Sequence, residues 1–326
     1  AWDDPKVRPL RVMMLSVTHA IGHGVPVVLS LQAEALVKHG YEVIVAGPRS
    51  ANDFPYPGCT RLEVHDPIDA AVFSADLSVD VVIAHTMPFF NITKWAGRYP
   101  AVICYDYGEP PSDWFHDAEP RKAALLEKDS SLMMATAVYA ISEAIADESR
   151  TPVTGVIPLG NTHLGQWDEG AKERRNRVRR ERGWDDHFVV LNVCRFHAGE
   201  RIYKGIDTFV SVFDACKAVN HDQSDKLIFV LCGKGTPDDV LEMTRCGLLV
   251  QANVSDDVML DLYCAADAYA NFSKWEGYNL GIAQALAMGL PTIASDIPAH
   301  RAFGIEVTKQ ATDAAEWLVR TAAQKN

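Results

Sequence analysis

Along the chain, segments with the hydrophobic spacing of strands alternate with segments that have the spacing of helices. Short runs rich in β-branched residues predict strands in the first half over Arg11 to Val17, Glu42 to Ala46, Val79 to Ala84, Ala101 to Tyr105, Ala137 to Ile141 and Gly155 to Ile157. Between the first two strands, apolar residues keep helical spacing from Val27 to His39, and Gly40 ends the predicted helix. This order is typical of a βαβ unit.

The same pattern starts again after a charged stretch, Ala171 to Arg182. The predicted strands of this second series are Phe188 to Val193, Leu227 to Leu231, Gly247 to Gln251, Ala268 to Ala270 and Pro291 to Ala294. Continuous apolar strands suit parallel sheets that are covered on both faces. We therefore predict two α/β domains, each a Rossmann-like, doubly wound parallel sheet, joined near Asn161 to Asp168.

The predicted boundaries divide the chain into residues 1–162, residues 163–305 and a terminal segment, residues 306–326. This last segment contains an amphipathic helix over Asp313 to Ala323, which could pack back on the N-terminal domain. The charged stretch contains Lys172 and several arginines and could be a patch for membranes or polyanions. Because Glu173 and Glu181 interrupt it, we favour a solvated helix.

Composition narrows the function classes. The chain has 326 residues, 48% of them hydrophobic, which is enough for two cores of ordinary size. Its formal charge of −12 would repel nucleic-acid phosphates, so we expect no nucleic-acid partner. Seven cysteines without a C-x-x-C pair argue against a disulfide framework or a zinc site.

These features predict a cytoplasmic protein without a bound metal. No apolar run reaches the roughly 20 residues that span a bilayer. We therefore expect membrane contact to be at most peripheral.

The segment Ser273 to Pro291 has features of an anion site. A turn with glycine leads into a predicted helix over about Asn279 to Met288, whose first N–H groups could hold a diphosphate over Asn279, Leu280 and Gly281. Glu276 and Gln284 are eight positions apart, which is a rise of about 12 Å on a helix and suits the two ends of a sugar nucleotide. The alternative is a glutamate favoured by the helix dipole and an exposed glutamine.

This segment resembles the E-x7-E region of retaining glycosyltransferases of family four, with Gln284 in place of the second glutamate. The run Asp261 to Asp267 before it is similar to the family's l-Y-x-x-A-D, and Ala285 to Ser295 after it resembles E-A-m-A-x-G-x-P-V-i-a-s. The resemblance implies the GT-B fold, in which two Rossmann-like domains face each other across a cleft. It also implies that Glu276 holds the donor sugar and Gln284 the ribose.

Other positions resemble the family one by one. Arg195 and Lys204-Gly205 are similar to its G-R-x-x-x-x-K-G, with a longer segment between the two cations, and Gly233 is similar to the first glycine of its G-x-G loop. In the family the two cations hold the donor diphosphate, where they can stabilise the charge of the leaving group without a metal.

In the N-terminal domain the resemblance is thinner. Gly24, in the stretch His23 to Leu29, matches the second glycine of the family's G-G loop, and His85 resembles the second histidine of H-x-H-x-P. The histidine that the family has after its fifth N-terminal strand is not seen, and Asp106 or Tyr107 stands in that region.

The resemblance implies a retaining, hexosyltransferase-like enzyme of carbohydrate biosynthesis. Its donor would be a UDP-, GDP- or ADP-sugar, bound as a substrate and without a further cofactor, and its acceptor a hydroxyl on a glycan, a lipid-linked sugar or a small molecule. Gln284 and Tyr107 leave two alternatives open. These are a sugar-nucleotide-binding subunit with impaired catalysis and a sugar-nucleotide epimerase of the same fold.

Overall fold

A computed structural model describes residues 8–21, 23–50, 53–95, 100–160, 163–219 and 226–325. The chain divides into two compact units, Ala1–Leu159 and Gly160–Asn326. Of the predicted junction near Asn161 to Asp168, residues 161 and 162 lie outside the described residues, and so does the predicted domain boundary at Thr162.

The first unit is a parallel sheet of seven strands with helices between them. Its elements are β1 (Arg11–Leu15), α1 (Gly24–Lys38), β2 (Glu42–Gly47), β3 (Thr60–Glu63), α2 (Pro67–Asp76), β4 (Val81–Ala84), a 3₁₀ helix (Phe89–Lys94), β5 (Ala101–Asp106), a second 3₁₀ helix (Ser112–Trp114), α3 (Ala118–Leu132), β6 (Ala137–Ala140), α4 (Glu143–Glu148) and β7 (Gly155–Val156). The strand order is β3-β2-β1-β4-β5-β6-β7. The order reverses between β1 and β4, which is where doubly wound sheets bind ligands.

The second unit is a parallel sheet of six strands. Its elements are α5 (Glu169–Arg182), β8 (Phe188–Val193), α6 (Ala198–Lys204), α7 (Ile206–Val219), β9 (Leu227–Gly233), α8 (Pro237–Arg245), β10 (Leu249–Ala252), α9 (Asp256–Ala265), β11 (Ala268–Asn271), α10 (Leu280–Ala287), β12 (Thr292–Ser295), α11 (Pro298–Arg301), β13 (Glu306–Thr308) and α12 (Ala311–Lys325). The strand order β10-β9-β8-β11-β12-β13 repeats that of the first unit, and here the reversal lies between β8 and β11.

Apolar side chains cover both faces of the second sheet, as the continuous apolar strands predict. Alternate residues of β8 enter two different cores: Val190 packs with Phe209 and Phe229, whereas Leu191 packs with Tyr263. The terminal helix α12 belongs to this unit and packs against α7 through Leu318, whose side chain is fully buried. The sequence analysis had placed this helix in a separate terminal segment, residues 306–326.

Two strands were missed by the sequence analysis. Both β3, with the sequence TRLE, and β13, with the sequence EVT, lie at edges of their sheets and keep residues exposed. An edge strand needs no continuous apolar run, so its hydrophobic signal is weak.

The expectation of a solvated basic helix is wrong for one face of α5. Arg174 pairs with Asp257 and Asp261 on α9, and Arg175 pairs with Asp267. Arg179 is buried, pairs with the other oxygen of Asp267 at 3.0 Å and donates to several backbone carbonyls. These arginines fasten α5 to the sheet, because buried charges are stable only when they are paired and hydrogen-bonded.

Candidate functional site

Most of the predicted donor-site residues follow strands of the second sheet at its carboxyl edge. Arg195 comes two residues after β8, Gly233 ends β9, and Glu276 lies in the loop between β11 and α10. Because parallel strands present their carboxyl ends at one edge, these loops are neighbours on either side of the strand-order reversal. The fold therefore brings residues far apart in sequence to one edge.

Lys204 and Glu276 meet directly at this edge. The ammonium of Lys204 donates to both carboxylate oxygens of Glu276, at 3.0 and 2.9 Å, although 72 positions separate the residues. The hydroxyl of Ser273 donates to the same carboxylate at 2.7 Å. The side chains of Lys204 and Glu276 are only 11% and 10% exposed, so the pair is largely shielded from solvent.

Gly205 explains how Lys204 reaches this position. It has φ +63°, in the left-handed region, and a Cβ there would lie 1.8 Å from the carbonyl oxygen of Phe272. Glycine is therefore required both by conformation and by the close approach of two backbones. The lysine–glycine pair of the sequence motif fastens the end of α6 to the backbone that follows β11.

Arg195 has its own carboxylate partner. Its guanidinium lies 3.1 Å from Glu200 and 3.4 Å from the hydroxyl of Tyr203, which also donates to Glu200. Glu200 was missed by the sequence analysis. It lies in the segment that is longer here than in the family motif, and a lone glutamate in such a segment has no pattern that marks it.

The start of α10 is held by a buried network. The side-chain oxygen of Asn279 accepts from the backbone N–H of Ile282 at 3.1 Å and caps the helix. Its amide nitrogen lies 3.0 Å from Nε2 of His300, whose Nδ1 lies 3.0 Å from the carbonyl oxygen of Ser295. Since a carbonyl only accepts, His300 carries its proton on Nδ1 and accepts from Asn279 through Nε2. Burial lowers the pKa of His300, consistent with a neutral ring.

The predicted helix over Asn279 to Met288 is confirmed, with Asn279 as its N-terminal cap and Met288 as its C-terminal cap. A Cβ on Gly281 would lie 2.3 Å from the hydroxyl of Tyr269 and 3.1 Å from the carbonyl oxygen of Val193. Glycine is thus needed here for packing against the strands. The diphosphate role of Asn279, Leu280 and Gly281 stays a prediction.

Gln284 is buried, with 1% of its surface exposed, so the alternative of an exposed glutamine is wrong. Its amide nitrogen donates to the carbonyl oxygen of Gly165 at 2.8 Å. Its amide oxygen is buried and has no hydrogen-bond partner among the described residues. An unpaired buried acceptor is costly in a folded protein, and a hydroxyl of a ligand would satisfy it.

Glycine is also required at position 233, by backbone conformation and by packing. Its φ is +145°, and a Cβ would lie 1.8 Å from the carbonyl oxygen of Cys194, beyond the end of β8. Gly235, in the same loop, lies against Phe196, and a Cβ on Gly235 would lie 2.2 Å from the ring of that residue. The two glycines let the backbone after β9 lie directly on the backbone after β8, and a role for Gly233 in nucleotide binding stays a prediction.

In the first unit, His85 extends β4 and is buried, with 1% exposed. Its Nδ1 lies 3.0 Å from the hydroxyl of Tyr107, and its Nε2 is buried without a hydrogen-bond partner in the described part of the chain. Asp106 is held elsewhere, by Lys128 at 2.5 Å in a buried ion pair. Of the two residues near the missing family histidine, Tyr107 therefore lies beside His85 and Asp106 is engaged by a lysine.

His19, which follows β1 and was missed by the sequence analysis, is a second buried histidine of this sheet edge. Its Nδ1 lies 2.9 Å from the hydroxyl of Tyr56. The stretch His23 to Leu29, which resembles the family's glycine loop, lies at a helix start: Gly24 is the first residue of α1 and His23 its N-terminal cap, so the helix begins three residues before the predicted Val27. A role for Gly24 at the donor phosphates stays a prediction. Pro26 is accommodated because the first turn of a helix needs few N–H donors.

Acidification is expected to destabilise the protein through these histidines. Burial is the main cause that lowers the pKa of His85 to about 3 and that of His19 to about 4, from 6.5. Below pH 6.5 both histidines take up a proton in the unfolded chain but stay neutral in the folded protein. The free energy of unfolding therefore falls as the pH falls below 6.5. At pH 5 each should cost about 2 kcal/mol, at roughly 1.4 kcal/mol per pH unit.

Urea denaturation at pH 7 and pH 5 measures this loss. We expect His85→Gln to reduce the difference between the two pH values, whereas the control His116→Gln, at an exposed position, should leave it unchanged. Equal stability of the wild type at both pH values would contradict the assignment.

The described residues contain no group of three or more histidine, cysteine, aspartate or glutamate residues that could hold a metal ion. None of the helices in this part of the chain is long and apolar enough to cross a membrane.

Comparison with known proteins finds a family match within the second unit. Residues 187–322 match the profile of the family described as Glycosyl transferases group 1. This range includes Arg195, Lys204, Gly233, Glu276 and Gln284. Among curated proteins no significant sequence match is found.

Solved structures resemble the whole chain. The Anabaena protein HepE, in complex with UDP and glucose, has a TM-score of 0.77 at 16% identity, over 97% of this chain and 90% of that one. Sucrose-phosphate synthase from Thermosynechococcus elongatus has a TM-score of 0.78 at 17% identity, over 96% and 90%. WaaG, a glycosyltransferase involved in lipopolysaccharide biosynthesis, has a TM-score of 0.69 at 13% identity, over 97% and 91%.

At such identities the likeness concerns the fold, and it agrees with the two parallel α/β sheets described above. The chain thus has the GT-B fold, and its residues 187–322 match the family described as Glycosyl transferases group 1.

Proposed function

We propose that the protein transfers a sugar from a nucleoside diphosphate sugar to an acceptor hydroxyl, with retention of anomeric configuration and without a bound metal. The observation that carries the proposal is the shielded pair of Lys204 and Glu276 at the carboxyl edge of the second sheet. It combines a cation for a phosphate with a carboxylate for sugar hydroxyls in one place. The pair lies inside the matched glycosyltransferase domain.

The main requirement of this reaction is to stabilise negative charge on the leaving diphosphate. Arg195 and Lys204 would hold the diphosphate, and their positive charges would stabilise the negative charge that grows on it as the glycosidic bond breaks. Two fixed cations supply there what a metal ion supplies in other enzymes. The first N–H groups of α10, at Leu280 and Gly281, would add partial positive charge.

The remaining contacts fix the donor at both ends. Glu276 would accept hydrogen bonds from sugar hydroxyls, and the free amide oxygen of Gln284 would accept one from a ribose hydroxyl. The acceptor hydroxyl would attack from the face that the diphosphate leaves and pass its proton to a phosphate oxygen, so that no protein nucleophile is needed. His85, with its unpartnered Nε2, is proposed to contact a substrate.

A thermal-shift screen with UDP, GDP, ADP and TDP tests the donor class. We expect one of them to stabilise the folded protein by about 2.7 kcal/mol at a hundredfold excess over its Kd. The UDP in the HepE structure makes UDP the first to test. No shift with any of the four nucleotides would contradict the proposal.

Mass spectrometry of the corresponding sugar nucleotide, incubated with candidate acceptors, then identifies the reaction. Glycosylated acceptor with released nucleoside diphosphate supports a transferase. Tight binding without turnover indicates a binding subunit, and conversion of the donor sugar without an acceptor indicates an epimerase.

A further inference from the structure

Each of the two cations assigned to the diphosphate is already paired with a carboxylate. Glu276 accepts from Lys204 through both oxygens, and Glu200 lies 3.1 Å from Arg195. The two positive charges are thus balanced by two negative charges before any ligand arrives. An anion that binds there meets a compensated pair of ions rather than free cations.

Both carboxylates are held in place by hydroxyl donors as well. Ser273 donates to Glu276, and Tyr203 donates to Glu200. Glu276 and Glu200 are only 10% and 15% exposed, so water screens them poorly and their charges act strongly on the neighbouring cations. A diphosphate at either cation would therefore be repelled by a carboxylate at close range.

The intact donor and the released product differ in how they compensate Glu276. A sugar nucleotide brings hydroxyl donors for this carboxylate when its diphosphate takes Lys204. A nucleoside diphosphate brings none, so Glu276 would lose its cation without gaining a new partner. Re-forming the pair with Lys204 is then favoured once the sugar has gone.

We propose that Glu276 and Glu200 are internal counter-anions that compete with the product diphosphate for Lys204 and Arg195 and so promote its release. This inference rests on the proposed function, because it takes the two cations as the diphosphate site. It gives Glu200, whose segment is longer than in the family motif, a role in setting nucleotide affinity. It gives Glu276 a second role besides holding the sugar.

Titration with the nucleoside diphosphate that binds best among UDP, GDP, ADP and TDP tests the inference. We expect Glu200→Gln and Glu276→Gln each to bind it at least fivefold more tightly than the wild type, because the amide keeps the shape and removes the charge. In Glu276→Gln, the preference for the sugar nucleotide over the diphosphate should also fall. Stronger product inhibition should accompany the tighter binding.

Glu242→Gln is the matched control. Glu242 pairs with Arg201, which lies on α6 like Lys204, but neither residue belongs to the proposed site. This variant should bind the nucleotide as the wild type does. Thermal unfolding verifies that each variant is folded, and if Glu276→Gln does not fold, Glu200→Gln decides.

Equal or weaker diphosphate binding by the folded variants would overturn the inference, since the carboxylates would then orient the cations rather than compete for them. The proposed function would survive that result. A wild type that binds none of the four nucleotides would overturn both.

Discussion

Replacing Glu276 by alanine is expected to lower kcat/KM for sugar transfer at least about 100-fold, which corresponds to about 2.7 kcal/mol of transition-state stabilisation. The carboxylate is the group proposed to grip the sugar while its bond to the diphosphate breaks, and the structure holds it in place through Lys204 and Ser273. Steady-state kinetics with the identified sugar nucleotide measures the loss.

The nucleoside diphosphate should still bind to Glu276→Ala, because Lys204 and Arg195 remain. The loss would then lie in the transfer step rather than in a collapsed site. Glu242→Ala, which removes a half-exposed partner of Arg201, should keep its activity. Full activity of a folded Glu276→Ala variant would remove this residue from the site.

Changing Gln284 to glutamate is expected to weaken nucleotide binding roughly 10- to 100-fold at pH 7, or about 1.4 to 2.7 kcal/mol. The family motif has glutamate at this position, so the resemblance alone predicts no loss. The structure predicts one because Gln284 donates to the carbonyl oxygen of Gly165, and an ionised carboxylate cannot donate. It would leave that carbonyl unpaired and place a charge in a buried position.

Lowering the pH provides a control within the same variant. A protonated carboxyl group can donate to Gly165 and still accept from a ribose hydroxyl. The affinity of Gln284→Glu, relative to the wild type at each pH, should therefore recover as the pH is lowered from 7 to 5. Nucleotide affinity equal to that of the wild type at pH 7 would show that the carbonyl of Gly165 does not require a donor.

Much of the fold was predictable because buried parallel strands carry their own signal. The run over Phe188 to Val193 is apolar except for Asn192, and the structure has β8 over the same residues. The start of α10 was predictable for a different reason, since Asn279 is a good capping residue at the beginning of an apolar helix. In both cases the local chemistry of the chain decides the local structure.

Pairs of residues far apart in the chain could not be predicted in this way. Arg174 meets Asp261 across 87 positions, and Lys204 meets Glu276 across 72. Periodicity tells which face of an element is apolar, but it does not tell which charged residue lies opposite. For this reason α5 was expected to be solvated throughout.

The same limit applies to the candidate site. Motif resemblance found Glu276 and Gln284, but it did not show that Ser273 and Gly165 are their hydrogen-bond partners. His300, which accepts from the cap of α10, belongs to no recognised pattern and was missed. The structure adds these neighbours, and with them the reasons for a buried glutamine and a shielded glutamate.

Calorimetric titration of the wild type and of Lys204→Met with the nucleoside diphosphate selected by the thermal-shift screen tests the central claim most directly. The claim is that a sugar nucleotide binds at the carboxyl edge of the second sheet with its diphosphate on Lys204. We predict saturable binding to the wild type and at least tenfold weaker binding to the folded variant. Equal affinity of the two proteins would contradict it.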